Sequence, residues 1–96
     1  MKVVIGGQNI YVEKDFHRQF VSQAEFPNYY GYNLDALWDS LSVDVERPLH
    51  LVWRDATLSR ERLGKRFDLI ISVLARVVVF DAQSTHEYKF TFEVLD

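Results

Sequence analysis

The segment from Tyr29 to Leu41 constrains the fold most, because it joins an aromatic loop to a helix with two different faces. Apolar residues recur there at i, i+3, i+4 and i+7, the spacing of one helix face, and they are Leu34, Leu37, Trp38 and Leu41. Asn33 occupies the N-cap position, where its side-chain oxygen can accept a free amide of the first turn. The pattern therefore predicts a helix from Asn33 to about Val45 with one buried face.

The second face of this helix is predicted to be acidic. Its members recur at i, i+4, i+7 and i+11, and they are Asp35, Asp39, Ser42 and Glu46. Like charges four residues apart cost roughly 0.2–0.5 kcal/mol, and aspartate is a weak helix former. Taken by themselves, two aspartates on a helix indicate an ordinary solvent-exposed face. The tyrosines beside them favour a binding surface, because tyrosine offers a large contact area at a low entropy cost.

Predicted strands alternate with predicted helices along the chain. Apolar runs indicate strands at 2–5, 49–53 and 87–95, and helical periodicity indicates helices at about 13–24, 33–45, 57–64 and 67–80. We expect one side of the second strand to carry Leu49, Leu51 and Trp53. We expect the inward side of the last strand to carry Tyr88, Phe90, Phe92 and Val94. Strands separated by helices favour an α/β fold with a parallel sheet and crossover connections.

Composition excludes several classes of protein. With 96 residues, 48% apolar residues and 15% aromatic residues, we expect one ordered domain over 1–96. There is no cysteine, so the chain has no disulfide and no thiolate ligand. The first seven residues do not resemble a secretory signal, and no apolar run approaches the roughly 18 residues of a membrane span. We therefore expect a cytoplasmic protein without a membrane partner.

The acidity of the chain lies in one segment. The formal net charge is −3, and residues 30–50 alone also sum to −3, so the rest of the chain sums to zero. Residues 54–66 sum to +3. An acidic segment of this kind favours a basic partner.

Chemical motifs of catalysis or metal binding are weak. His17, His50 and His86 lie on different predicted elements without ligand spacing, so we expect no metal and no cofactor, and we expect His17 to be a packing or capping residue. Asp35 and Asp39 could form an acid–base pair, but on adjacent exposed turns they lack the burial that tunes such pairs. We therefore expect a protein that is not an enzyme.

Nucleic-acid binding rests on the basic segment 54–66 alone. Asp55 and Glu61 interrupt its positive charge, and it contains no aromatic residue that could stack on a base. We expect a solvated helix of mixed charge and no nucleic-acid partner.

The aromatic loop and the helix after it resemble the signature of the barstar family, small intracellular inhibitors of bacterial ribonucleases. The resemblance is carried by Tyr29-Tyr30-Gly31, by Asn33-Leu34-Asp35-Ala36-Leu37-Trp38-Asp39 and by Leu41. Weaker matches are Val4-Ile5 before Gly7, His17, Glu46, Pro48-Leu49, Leu51 and Trp53-Arg54. The resemblance needs no gaps to about Leu74 and is loose beyond it.

The resemblance implies a barstar-like fold, in which a three-stranded parallel sheet packs against about four helices. It also implies a basic partner, an extracellular-type or toxin ribonuclease bound one to one, with inhibition by occlusion of the active site. In that complex Asp39 would enter the phosphate pocket, Asp35 would contact its rim and the backbone, and Tyr29 would stack on the catalytic histidine. Further contacts would come from Tyr30, Gly31, Asn33, Leu34 and Ser42.

The chain also departs from the family's best-known inhibitor. That protein has glycine and tryptophan at the positions of Val43 and Asp44, and glutamate at the position of Arg76. We include Asp44, Glu46 and Arg76 in the predicted partner surface, with Arg76 facing a carboxylate of the partner. The alternative is an interaction module that binds a basic, non-nuclease partner through the same surface.

Overall fold

The computed structural model describes residues 1–85 and 87–96, and within them it has three strands and four α-helices. The strands are β1 (Lys2–Gly6), β2 (Leu49–Arg54) and β3 (Phe90–Val94). The helices are α1 (Glu13–Val21), α2 (Leu34–Asp39), α3 (Ala56–Leu63) and α4 (Lys65–Ala82). A 3₁₀ turn at Gly7–Asn9 follows β1, and a π turn at Ser40–Asp44 continues α2. The predicted α/β class, with a three-stranded parallel sheet and four helices, is confirmed.

The sheet has the order β1-β2-β3, and both neighbouring pairs are parallel. Leu51 at its centre is in register with Val3 on one side and with Phe92 on the other. The three β2 residues expected on one side of that strand are all fully buried. Each crossover contains two α-helices, and α2 packs against α4, which in turn packs against β3.

Trp53 at the end of β2 organises the centre of the core. Its ring stacks on Phe16 of α1 at a centroid distance of 4.8 Å and lies 5.0 Å from Phe67 of α4. Its indole Nε1 donates a hydrogen bond to the Ser59 hydroxyl at 3.0 Å, and Ser59 in turn donates to the carbonyl of Gly7 at 3.1 Å. The buried polar atoms of Trp53 and Ser59 are therefore satisfied. The Ser59 hydroxyl of α3 joins β2 to the 3₁₀ turn after β1.

The last strand is shorter than its apolar alternation predicts. It begins at Phe90 and not near residue 87, and Tyr88, expected to point inward, is 56% exposed. The Lys89 ammonium donates to the carbonyl of Asp81 at 2.7 Å, and the Phe90 amide donates to the Asp81 carboxylate at 2.7 Å. These bonds hold the chain against the end of α4 until Phe90, so strand pairing starts late.

Candidate functional site

Helix α2 begins where Asn33 caps it. The Asn33 Oδ1 atom accepts the amide of Ala36 at 2.8 Å, and the Asn33 carbonyl accepts the amide of Leu37 at 2.9 Å. Leu37 and, one turn later, Leu41 are fully buried, which anchors the helix to the core. The apolar face predicted from the spacing is thus correct for its centre.

Trp38 and Leu34 lie at the margin of this face and are only half-buried. The Trp38 ring lies edge-on to the Phe80 ring of α4, with the two centroids 5.6 Å apart. The Arg76 guanidinium lies over the Trp38 ring, 4.4 Å from its centroid. The prediction that Trp38 lies on the buried face is therefore correct only in part, because its ring packs against the core but stays partly exposed. Its ring bridges two helices at the surface.

The π turn changes the direction of the predicted acidic face. The amide of Val45 donates to the carbonyl of Ser40 at 3.0 Å, a bond across five residues, and Val45 then adopts an extended backbone. The helical segment therefore ends at Asp44, and the predicted continuation of the acidic face to Glu46 is wrong, because Glu46 lies outside the helix. Ser42 is half-buried, and its hydroxyl donates back to the carbonyl of Trp38 at 2.7 Å.

A groove of about 470 Å³ lies between the aromatic loop and this helical segment. It is lined by Tyr29, Tyr30, Gly31, Ala36, Asp39, Ser40, Val43 and Asp44. We call it the acidic groove. Asp39 and Asp44 are exposed in it, and Asp35 is exposed one turn before Asp39. Within 1–85 and 87–96 none of these three carboxylates forms an ion pair.

The tyrosines of the loop have different roles. Tyr29 is 79% exposed at the rim of the groove, whereas Tyr30 is only 7% exposed. The Tyr30 hydroxyl lies 2.5 Å from Nδ1 of the buried His17, and Nε2 of His17 lies 2.9 Å from the Glu13 carboxylate. Tyr30 was expected to contribute contact area to a partner, but burial leaves little of its ring for one. It anchors the loop that presents Tyr29.

The His17 contacts are satisfied when the neutral ring carries its proton on Nε2 and accepts the Tyr30 hydroxyl at Nδ1. Burial lowers the pKa of His17 below its ordinary value, although the hydrogen bond to Glu13 opposes the shift. Burial also raises the pKa of the Tyr30 hydroxyl. The expectation that His17 packs inside the protein is confirmed.

Gly31 lies where the chain leaves the loop for the helix. A Cβ atom at this position would lie 3.2 Å from Nδ2 of Asn33 and 3.5 Å from Cβ of Ala36. The next residue, Tyr32, has a positive φ of 53°. A side chain at Gly31 would press on the cap of α2, so a glycine keeps the loop close to the helix.

Arg47 and Asp81 form an ion pair beside the acidic groove that sequence reasoning missed. Arg47, the sole cation of the acidic segment 30–50, is 11% exposed and forms an ion pair with the buried Asp81 at 2.8 Å. Its charge is directed inward, so the surface of this segment presents its carboxylates without it. No local pattern could reveal a pair separated by 34 residues.

Arg76 lies outside the acidic groove, across α2. It is exposed and borders a second groove of about 400 Å³ that also contains Trp38, Ala75, Val79, Phe80 and Gln83. Val79 is 56% and Phe80 40% exposed. In the described part of the chain the Arg76 guanidinium has no carboxylate partner.

The basic segment is largely engaged with the protein itself. The Arg62 guanidinium lies 4.1 Å from the Tyr11 ring centroid and donates to the carbonyl of Gln8 at 2.7 Å. Arg60 lies 4.9 Å from the ring centroid of Phe67, and Arg66 is 3.7 Å from Glu13. These contacts fit a structural helix of mixed charge better than a surface for phosphates.

The described residues include no cluster of three or more His, Cys, Asp or Glu side chains that could bind a metal ion. His50 contacts Thr91 at 2.7 Å, and His86 lies outside the described residues. In the described ranges no helix has the length and apolar character needed to cross a bilayer.

Comparison with known proteins identifies a family for the chain. Residues 1–95 match the family model described as "Barstar (barnase inhibitor)". The chain belongs to the barstar family. The match extends beyond Leu74, where the resemblance read from the sequence becomes loose, and it includes α4 and β3.

A curated relative is similar to most of this barstar family chain. It is the "Putative ribonuclease inhibitor YrdF" of Bacillus subtilis (strain 168), which is 37% identical over 73 residues. The alignment covers 76% of this chain and 80% of that protein.

Proposed function

We propose that this barstar family protein inhibits a basic ribonuclease by placing its acidic groove over the nuclease active site. The observation that carries the proposal is the set of exposed carboxylates that have no ion-pair partner in the described part of the chain: Asp35, Asp39 and Asp44. Asp35 lies in the first turn of α2, where the helix dipole favours a carboxylate, but Asp39 and Asp44 have no such support. A site built to hold phosphates attracts all three charges.

Inhibition in this proposal is occlusion and requires no catalysis by the chain. A ribonuclease site lined with cationic side chains would accept the Asp39 carboxylate where a substrate phosphate binds, while Asp35 contacts the rim. Tyr29, which is 79% exposed, would stack on a catalytic imidazole. Further contacts would come from Gly31, Asn33, Leu34, Ser42, Asp44 and Glu46. Tyr30 would act by fixing the loop.

Arg76 would determine which nuclease is bound. Its exposed guanidinium, held over Trp38, requires a carboxylate or another acceptor on the partner and rejects a cation there. We therefore propose a partner whose basic active site has an acidic neighbour, bound as a complex of one inhibitor and one nuclease.

The test is a titration of the purified protein into a panel of small bacterial ribonucleases while RNA cleavage is followed. We expect stoichiometric inhibition of at least one basic nuclease and unchanged inhibition by Glu61→Gln, which removes one negative charge from α3. Complete absence of inhibition across the panel would contradict the proposal. It would favour the alternative, a basic partner that is not a nuclease.

A further inference from the structure

An ion pair between Arg47 and the buried Asp81 links the π turn beside the acidic groove to α4. Nε of Arg47 donates to one carboxylate oxygen of Asp81 at 2.8 Å, and Nη2 donates to the other at 3.0 Å. Arg47 is 11% and Asp81 is 1% exposed. Two parallel bonds of this kind fix the plane of the guanidinium as well as its position.

The same guanidinium binds the backbone on both sides of the groove residues. Its Nη1 donates to the carbonyl of Val45 at 2.7 Å, and its Nη2 donates to the carbonyl of Leu41 at 2.5 Å. Carbonyls at the end of a helix otherwise lack partners within it. The two bonds bracket residues 42–44, which include Asp44 of the acidic groove.

Asp81 connects this turn to two further elements. It lies in the last turn of α4. Its carboxylate accepts a hydrogen bond, 2.7 Å long, from the amide of Phe90, which is the first residue of β3. The ion pair therefore ties the π turn to the helix and the sheet across 34 residues of sequence. A buried ion pair adds little net stability compared with apolar side chains of the same volume, so its use here calls for another explanation.

We propose that Arg47 and Asp81 are positioning residues, which hold the π turn so that the acidic groove is formed before a partner arrives. This inference rests on the proposed function for its consequence in binding. A surface that is ordered in advance loses less conformational freedom on association, so its affinity is higher for the same contacts. Pairing Arg47 inward also keeps a cation away from the carboxylates of the groove.

Arg47→Lys is the sharpest variant. It retains the positive charge, but an ammonium cannot make the two parallel bonds to Asp81 and bind both carbonyls in one plane. Arg54→Lys, at an exposed position at the end of β2, is the matched control. If Arg47→Lys folds poorly, Arg47→Met combined with Asp81→Asn replaces it, since asparagine retains an acceptor for the Phe90 amide.

The measurement has two arms. In amide hydrogen exchange, we expect the Val45 amide to exchange at least about 10-fold faster in Arg47→Lys, while the fully buried α4 segment around Leu74 keeps its rate. In binding to the nuclease that the parent inhibits, we expect a Kd raised by about 10-fold or more, with the Arg54→Lys control unchanged.

An equal acceleration of all amides, or of none, would overturn the inference, because the pair would then serve general stability only. Faster exchange at Val45 with an unchanged Kd would also overturn it. If the parent inhibits no nuclease, the proposed function fails by that result alone. The exchange arm then decides separately whether the pair holds the turn.

Discussion

Single residues around the acidic groove are of two kinds: buried residues that stabilise the fold, and exposed residues that contribute little to its stability. Asp39 is exposed at the end of α2, just before the π turn, and its charge repels Asp35 one turn earlier. Tyr29 exposes 79% of its surface, whereas its neighbour Tyr30 is buried against His17. Adjacent residues of one type thus make opposite contributions, and mutation of each can separate binding from stability.

Asp39→Ala tests the first of these roles. We expect it to change the free energy of unfolding by less than about 0.5 kcal/mol, since within 1–85 and 87–96 the Asp39 carboxylate forms no ion pair. Binding to the inhibited nuclease should weaken by about 2 kcal/mol or more, the range of a central interface residue. Thermal melts and titration calorimetry measure the two quantities, with Glu61→Ala as the control. An unfolded variant, or one that binds as tightly as the parent, would contradict the assignment.

The tyrosine pair gives the second prediction. Tyr30→Ala should cost about 3–5 kcal/mol of stability, because it leaves a cavity and removes the partner of the His17 imidazole. Tyr29→Ala should cost less than about 0.5 kcal/mol and should weaken nuclease binding. Denaturant titrations of both variants compare them directly. A larger loss of stability for Tyr29→Ala would show that the two roles are reversed.

At the scale of elements, local pattern predicts what local forces determine. The start of α2 could be predicted from Asn33, and the burial of Leu37 and Leu41 could be predicted from helical spacing. The π turn could not be predicted from local sequence, because its contacts come from Arg47 and its distant partner Asp81. For the same reason the late start of β3 could not be read from alternating side chains.

The backbone at Gly7, just after β1, lies so close to the start of α3 that there is no room for a side chain. A Cβ atom on Gly7 would collide with the backbone carbonyl oxygens of Arg54 and Asp55 and would lie 2.7 Å from the Ser59 hydroxyl. Gly7→Ala should therefore cost about 1–3 kcal/mol or more. Gly6→Ala is the matched control, because among the described residues its Cβ would meet Gln19 at 3.7 Å and Asn9 at 3.9 Å and nothing nearer. Equal stability of the two variants would contradict the close approach seen here.

At the scale of the whole molecule, the charges form two regions of opposite sign. Residues 30–50 sum to −3 and residues 54–66 sum to +3. Much of the basic region is used in internal contacts, whereas the carboxylates of the acidic groove face solvent. A field of this form attracts a basic partner and orients it before contact. The acidic segment could be read from the sequence, and the basic partner stays a prediction, but the inward pairing of Arg47 could not be read from it.

The buried histidine makes stability depend on pH. Because burial lowers the His17 pKa in the folded state, the unfolded chain binds a proton more readily. The contribution of the neutral His17 ring to stability is fully present above its ordinary pKa of 6.5. It is lost as the pH falls from 6.5 toward the lower pKa of the folded state, by at most about 1.4 kcal/mol per pH unit.

We expect His17→Gln to flatten this dependence between pH 7 and 5, with His50→Gln, a partly exposed site, as the control. The backbone amide of Tyr11 lowers the pKa of Asp15, which adds a separate loss only below its ordinary value of 3.8. Denaturant midpoints against pH measure both windows. A dependence that survives His17→Gln and disappears in His50→Gln would contradict the role of the buried ring.

Competition with a substrate analogue tests the central claim most directly. The inhibited nuclease is titrated with this protein at increasing concentrations of a non-hydrolysable RNA dinucleotide that occupies its active site. If the acidic groove covers that site, the apparent Kd should rise in proportion to the dinucleotide concentration once the analogue is saturating. An apparent Kd that does not change, with dinucleotide and inhibitor bound together, would contradict inhibition by occlusion.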